Sequence, residues 1–391
     1  MLENPFTPGQ VPRILAGRVV ELRRIGDQVA RVAQYGELGG PLLVFHAPRG
    51  VGKTSLLRTA QRRAEAAGCV TAWVACTRDH SVLAELVAGI ERSLVAAEVI
   101  PRSQRRGWRT FIDSVTVQVG IPGVPVQASA DIRLPEAPKR PTTPVGALEE
   151  LLHEGAARVR ARGGAGLVVF VDELHAGSPG DLAVLLNALQ NLDGRREDNP
   201  LAVIAAGLPV TPEALTRAAT FGERSSFVPL DLLSSHDARI ALSAPAEALG
   251  VTWTHAALDR LVDEARGHPY FLQLLGSTTW DAAAPGTGGR LGIADVRAGV
   301  PAARAQIDAM HRARWNAATP VEQAFLRAMA EVAPPNGNVS RAAIAAAMGR
   351  ASRAISVPRE RLIEKGVIEP VGHGLVRFTL PGFGAYVLDL D

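Results

Sequence analysis

Lysine is nearly missing from this 391-residue sequence. Only Lys53, Lys139 and Lys365 occur among 42 basic residues, so arginine carries almost every positive charge. Arginine offers a planar fork and lysine a compact ammonium; a lysine retained in such a chain marks a place where the point charge is needed. Cysteine is equally scarce. Cys69 and Cys76 cannot build a disulfide framework or a four-ligand zinc site; they bracket an expected buried strand and read as small core residues. Long apolar runs are also absent. A run such as residues 167–171 (LVVFV) falls far short of the roughly 20 residues that a membrane span needs. The opening MLENPFTPGQ has no basic stretch followed by an apolar one, so no secretory signal is expected and a cytoplasmic, membrane-free protein is. With 42 basic against 39 acidic residues, a net of +3, charge argues neither for nor against nucleic acid.

What remains is ample for folding. A hydrophobic content of 47% with 21% charged residues excludes disorder, and the length suggests two or three domains at roughly 150 residues each. Residues 4–8 are turn-rich, 18–35 read as an amphipathic helix, and Gly39-Gly40-Pro41 breaks it. The short apolar run 42–45 predicts a buried strand, followed by a glycine-containing loop and a helix over 53–67. A strand over 70–75 and a helix over 82–97 complete a β-loop-α-β-α order, which predicts a parallel sheet covered by helices. Residues 101–144 break this pattern. Val115, Val117, Val119 and Ile121 alternate, Pro122-Gly123 turns, and Val124, Val126 and Ala128 resume the alternation. This predicts an inserted β-hairpin beside the arginine cluster Arg102, Arg105, Arg106 and Arg109. Helices over 145–162 and 182–192 and strands over 166–171, 201–206 and 227–230 follow. From Ser234 strand signals stop and three helices are expected at 238–249, 254–266 and 270–280, then a glycine-rich linker at 285–292 and a helix ending near Trp315.

The chemistry lies in two motifs. Ala47-Pro48-Arg49-Gly50-Val51-Gly52-Lys53-Thr54 follows the phosphate-loop pattern G-x-x-x-x-G-K-[ST], with Ala47 in place of the first glycine. Glycines let the main chain approach phosphate closely, and the N–H groups of the loop and of the next helix point at it. Lys53 would reach the β- and γ-phosphates, Thr54 would give a hydroxyl to Mg²⁺, and Ser55 completes the cradle. The second motif is Leu167-Val168-Val169-Phe170-Val171-Asp172-Glu173. A buried parallel strand would deliver Asp172 to the metal and Glu173 to the attacking water as general base.

The loop APRGVGKTSLL, the strand LVVFVDELH, the stretch AVIAAGLP and the later RGHPYFLQLLG resemble P-loop ATPases of the AAA+/STAND group, especially the branch close to origin-recognition-type initiators, over about residues 5 to 390. The resemblance implies an α/β P-loop NTPase core with a helical lid and a C-terminal winged helix, binding ATP or ADP with Mg²⁺. It divides the chain into a segment beside the adenine (1–40), the ATPase core (41–232, with the 101–144 insert), the lid (233–284), a linker and helix (285–315) and the winged helix (316–391). It implies that Gly17 and Arg18 lie beside the base and that His268 and Pro269 belong to a lid element closing over the nucleotide. It implies that Arg224 acts as an arginine finger from a neighbouring subunit, with Arg217 as the competing candidate. Where the family places a polar γ-phosphate sensor, Ala205-Ala206-Gly207 offers no side chain. That puts fast turnover in doubt.

The last 75 residues independently predict three helices and a hairpin: 319–332, capped by Thr319; 341–348, capped by Ser340; 356–365; and strands on either side of His373-Gly374. In a DNA-binding winged helix the third helix enters the major groove and the wing meets phosphate. Arg350, Arg353, Arg359, Arg361 and Arg377 would form that surface, although Glu360 and Glu364 share the helix. Two functions stay open at this point. One is an ATP-dependent protein binding double-stranded DNA and assembling as a homo-oligomer in the ATP state. The other is a signalling switch that exchanges ADP for ATP and acts on a protein partner.

Overall fold

The computed structural model describes residues 2–77, 80–118, 143–334, 337–372 and 374–390. They divide into two compact units, neither continuous in sequence: Val19–His46 with Leu56–Pro229, and Met1–Arg18 with Ala47–Ser55 and Leu230–Asp391.

The first unit is an α/β layer. Its elements are α1 (Val19–Ala30), β1 (Leu43–His46), α2 (Lys53–Ala66, which begins in the other unit), β2 (Val70–Ala75), α3 (Val82–Ala96), α4 (Arg105–Gln118) and α5 (Pro144–Ala161). They continue with β3 (Leu167–Asp172), α6 (Pro179–Asp193), β4 (Leu201–Gly207), α7 (Thr211–Ala218) and β5 (Ser226–Pro229). The five strands run parallel in the order β2-β3-β4-β1-β5. Every residue of β3 and β4 is buried, as expected of strands covered by helices on both faces. Each large aliphatic or aromatic side chain so buried contributes about 1.5–3 kcal/mol. Local signals set the helix starts: Ser81, Thr143 and Ser178 each cap the next helix by accepting a backbone N–H.

One expectation fails here. Val115 and Val117 do not alternate along a hairpin strand; they belong to α4, where Trp108, Ile112 and Val115 form a buried stripe at spacings of four and three. The alternating run also fits a helical stripe once Trp108 is counted, and Arg158 stacks over that indole, 5.2 Å from its centre. The remainder of the expected hairpin, Val119 to Ala128, lies outside the described residues.

The second unit is mainly helical. It contains α8 (Ser235–Glu247), β6 (Thr252–Trp253), α9 (His255–Ala265), α10 (Pro269–Ala283), β7 (Arg290–Leu291) and α11 (Ile293–Asn316). These are followed by α12 (Pro320–Glu331), β8 (Val339–Ser340), α13 (Arg341–Ala347), α14 (Ser356–Glu364), β9 (Ile368–Gly372), β10 (Leu375–Phe378) and α15 (Phe383–Leu388). Strand signals therefore do not stop at Ser234. β6 and β7 pair in parallel, and two-residue strands are too short to show a period in sequence. Phe6 anchors the N-terminal segment, edge-on to Trp253 and Trp280 at 6.3 and 6.2 Å. The last strands form a sheet in the order β8-β10-β9 beside helices α12, α13 and α14. Among the described residues no helix is long and apolar enough to cross a membrane.

Candidate functional site

β1 ends at His46 and the chain enters the glycine loop. Gly50 and Gly52 have φ of 84° and 97°, left-handed values that other residues adopt only under strain, so the loop curls as the motif requires. Lys53 opens α2 and is buried. Its ammonium donates to the Ala47 and Pro48 carbonyls, both at 2.9 Å. The charge is thus held at the centre of the loop, above a helix N-terminus, where a phosphate would compete for it. Thr54 is exposed, Ser55 half-buried and Arg49 exposed on the same turn. Ala47 is buried.

Four other residues named from sequence join this loop in the same unit. Arg18 is buried and bridges it, donating to the Val51 carbonyl at 3.2 Å and the Asp231 carbonyl at 2.7 Å. Gly17 lies so close to the start of α8 that a Cβ there would meet the Leu233 and Asp237 side chains at 2.7 and 2.8 Å. Pro269 is the first residue of α10, where its missing N–H costs nothing. His268, just before it, is fully buried against the loop: a Cβ on Gly50 would stand 2.6 Å from its ring. The next residue but one, Tyr270, donates its N–H to the Gly50 carbonyl at 3.3 Å. Burial drives the His268 pKa down to about 4, although the facing Arg49 backbone favours the charged ring slightly. Neither ring nitrogen has a hydrogen-bond partner of good geometry.

The acidic motif lies in the first unit. The parallel order puts the carboxyl ends of β1 and β3 at one edge of the sheet, with β4 between them. β3 delivers Asp172, which is buried and accepts the Glu173 N–H at 2.9 Å. Glu173 itself is held at φ 56°, rare for a residue with a side chain, and such strain recurs at functional positions. Sequence reasoning missed its neighbour. His175 accepts the Leu208 N–H on Nδ1 at 3.4 Å, so a neutral ring carries its proton on Nε2, which faces the Glu173 carboxylate at 3.6 Å. A histidine two residues after the acidic pair was the only available signal.

Gly207, at the end of β4, has no room for a side chain. A Cβ on Gly207 would collide with Thr211, whose buried hydroxyl donates to the Leu208 carbonyl at 2.6 Å. Both cysteines are protonated and inert: burial pushes Cys69 up to about 11, and burial with the nearby carboxylates, Asp172 first, pushes Cys76 to about 12. No cluster of three or more metal-ligating side chains occurs among the described residues. Mg²⁺ needs none, since it keeps several waters and binds through one or two side chains plus phosphate oxygens.

Arg224 ends a short turn before β5, at the opposite end of that strand from the carboxyl edge. It donates to Gln190 at 3.1 Å, lies 5.0 Å over Phe221 and lines a cleft of about 460 Å³ with Arg31 and Arg196. Arg217, the competing candidate, is an exposed arginine paired with Glu213 one helical turn back. In the C-terminal segment Arg350, Arg353 and Arg361 are exposed and Arg359 half-buried. Arg377 pairs with Glu369, a contact the sequence did not reveal.

Residues 14–204 match the model of the AAA ATPase domain, and residues 308–387 match a domain of unknown function (DUF8462). No curated protein matches the sequence. Among solved structures the chain is similar to a Walker-type ATPase of Pyrococcus abyssi, at 14% identity over 96% of each chain, with a TM-score of 0.60. It also aligns with the ORC1 protein of Aeropyrum pernix in complex with DNA (16% identity, 98% of this chain and 95% of that one, TM-score 0.44). A third is Cdc6p from Pyrobaculum aerophilum (14% identity, 98% and 96%, TM-score 0.46). The Pyrococcus likeness bears on the fold, and it agrees with the five-stranded parallel sheet. The glycine loop and the five-stranded parallel sheet together give the chain the α/β fold of a P-loop NTPase, and the match to the AAA ATPase domain covers residues 14–204.

Proposed function

We propose that the chain binds ATP with Mg²⁺ and hydrolyses it, coupling the nucleotide state to double-stranded DNA or to self-assembly. The observation that carries this reading is the glycine loop with Lys53 buried at its centre. Residues 48–55 hold the phosphates, Gly17 and Arg18 flank the base, and His268 and Pro269 close over the nucleotide. Thr54 and Asp172 serve as the protein ligands of Mg²⁺, which offsets the charge that develops on the transferred phosphoryl group. Glu173 takes the proton of the attacking water, and His175 holds its carboxylate in place. Residues 316–391 act as a winged helix, a reading supported by the three helices and the β8-β10-β9 sheet. Arg350, Arg353 and Arg361 would meet phosphate.

The switch reading has its own support: His268 packs directly on Gly50, and the loop shares a compact unit with the C-terminal segment. One measurement separates the two. Retention on duplex DNA should weaken steeply with salt if several phosphate contacts are made, because each releases counterions. Absence of retention at low salt, with nucleotide present, excludes the DNA reading and leaves the switch.

A further inference from the structure

A cleft of about 460 Å³ opens at the amino ends of β1 and β5, where Leu42 and Ser225 line it just before those strands begin. The strands run parallel, so this edge is opposite the one that carries Asp172. Every residue that lines the cleft belongs to the first unit. One wall is α6, which turns Leu186, Leu189, Gln190 and Asp193 to the same side, as their helical spacing requires. The other wall is the chain that follows α1. That helix runs into a π-helical turn, Arg31–Tyr35, a rare form that recurs at functional sites. Beyond the turn the backbone is tied down: Leu38 donates to the Arg196 carbonyl at 2.9 Å and Gly39 to the Leu201 carbonyl at 2.8 Å, which fixes this wall in place.

Three arginines reach the cleft, and they are not equivalent. Arg196 is neutralised by Asp193 at 3.0 Å. Arg31 instead donates to the Gly39 carbonyl at 3.3 Å, and Arg224 donates to the Gln190 side chain at 3.1 Å while lying 5.0 Å over Phe221. A neutral oxygen or a ring orients a guanidinium without cancelling its charge. Among the described residues no carboxylate is ion-paired to Arg31 or Arg224, and no cation to Glu37, which lines the same cleft. Between these charges Leu38, Leu42 and Leu186 give an apolar lining. A few fixed polar points around an apolar hollow are the general form of a small-molecule site, and the volume lies within the roughly 300–1,000 Å³ of such sites.

We propose that this cleft binds a small ligand with an apolar body, an oxyanion and an N–H donor. Arg31 and Arg224 take the oxyanion through charge-assisted, fork-shaped hydrogen bonds. Glu37 accepts the N–H, and the body lies on the leucines beside Phe221. Large apolar amino acids carry this chemistry as carboxylate and ammonium, and purine nucleoside monophosphates carry it as phosphate and base N–H. The site is separate from the phosphate loop and does not depend on a nucleotide there.

The test is calorimetric titration of the full chain, carrying Lys53→Ala to silence the loop, with phenylalanine and with guanosine monophosphate. At least one should bind, and which one does identifies the oxyanion. Adding Arg31→Gln should weaken that binding by about tenfold or more, the loss expected for a hydrogen bond to a charged group. Glu37→Gln should weaken it as well. Arg31 is the deciding position, because Arg224 is also the candidate finger. Arg196→Gln, whose charge Asp193 already cancels, should leave the affinity nearly unchanged; melting temperatures verify that each variant is folded. No heat from either probe at millimolar concentration, or binding unmoved by Arg31→Gln, overturns the proposal. So does an equal loss in Arg196→Gln, which would mean only a general attraction of anions to a basic surface. None of these outcomes touches the reading of the loop, which nucleotide binding by the chain with Lys53 intact decides separately.

Discussion

Lys53 shows what a single residue reveals. In a chain that uses arginine nearly everywhere, this lysine is buried and bonded to two loop carbonyls. Lys53→Ala should weaken ATP binding by orders of magnitude, measured by titration, and full affinity in that variant would refute the site. Glu173→Gln should bind normally and lose turnover, because only the proton acceptor is neutralised. Lys53, Thr54, Asp172 and Glu173 were legible in sequence because each sits in a spaced motif. His175 and Thr211 were not, since their contacts are tertiary ones that no local pattern encodes. His268 gives a pH prediction. Unfolded, its ring titrates near 6.5; folded, burial holds the pKa near 4, so the fold admits only the neutral ring. Its contribution is complete above pH 6.5 and is lost as pH falls toward 4, by up to about 3 kcal/mol. Urea midpoints between pH 7 and 4.5 should show that slope, and His268→Leu should flatten it.

At the scale of elements, strands and helices with strong periods were read nearly in place, and ends marked by serine, threonine or proline were read best. α12 is an example. Thr319 accepts the Glu322 N–H while the Glu322 carboxylate accepts the Thr319 N–H, a reciprocal capping box visible as T-x-x-E in sequence. Thr319→Ala should cost about 1 kcal/mol, read from the melting temperature, and no change would show that the cap is redundant. The loss should spread to Lys365, which also holds the Glu322 carboxylate. α4 was misread because valines favour strands, yet the stripe of Trp108, Ile112 and Val115 supplied enough burial to override that preference. β6 and β7 were missed for lack of length.

For the whole molecule, the open matter is whether one chain completes its own active site. Arg224 occupies a cleft in the first unit and is held by Gln190 and Phe221, with no carboxylate ion-paired to it among the described residues, so its guanidinium can meet an anionic neighbour. If it serves as a finger in trans, turnover per chain should rise with protein concentration. Mixing Arg224→Ala with Glu173→Gln should then restore activity that neither variant has alone, since each supplies what the other lacks. No recovery at concentrations where mixed assembly is verified would remove Arg224 from that role.

The order in which the chain is made meets the order in which it packs. The glycine loop leaves the ribosome well before its partners Asp231, His268 and Tyr270, which lie some 180 to 220 residues further along the chain. During synthesis the sheet can close as soon as β5 is complete at Pro229, whereas the glycine loop must wait for Asp231 to complete Arg18's bridge and for a further stretch of chain to gain His268, which packs on Gly50. If the loop binds nucleotide as proposed, a nascent chain that has not yet reached His268 should capture it poorly. A chain ending at Pro229 should therefore show native-like sheet signal by circular dichroism and no saturable ATP binding. Tight binding by that fragment would mean that the cradle forms unaided.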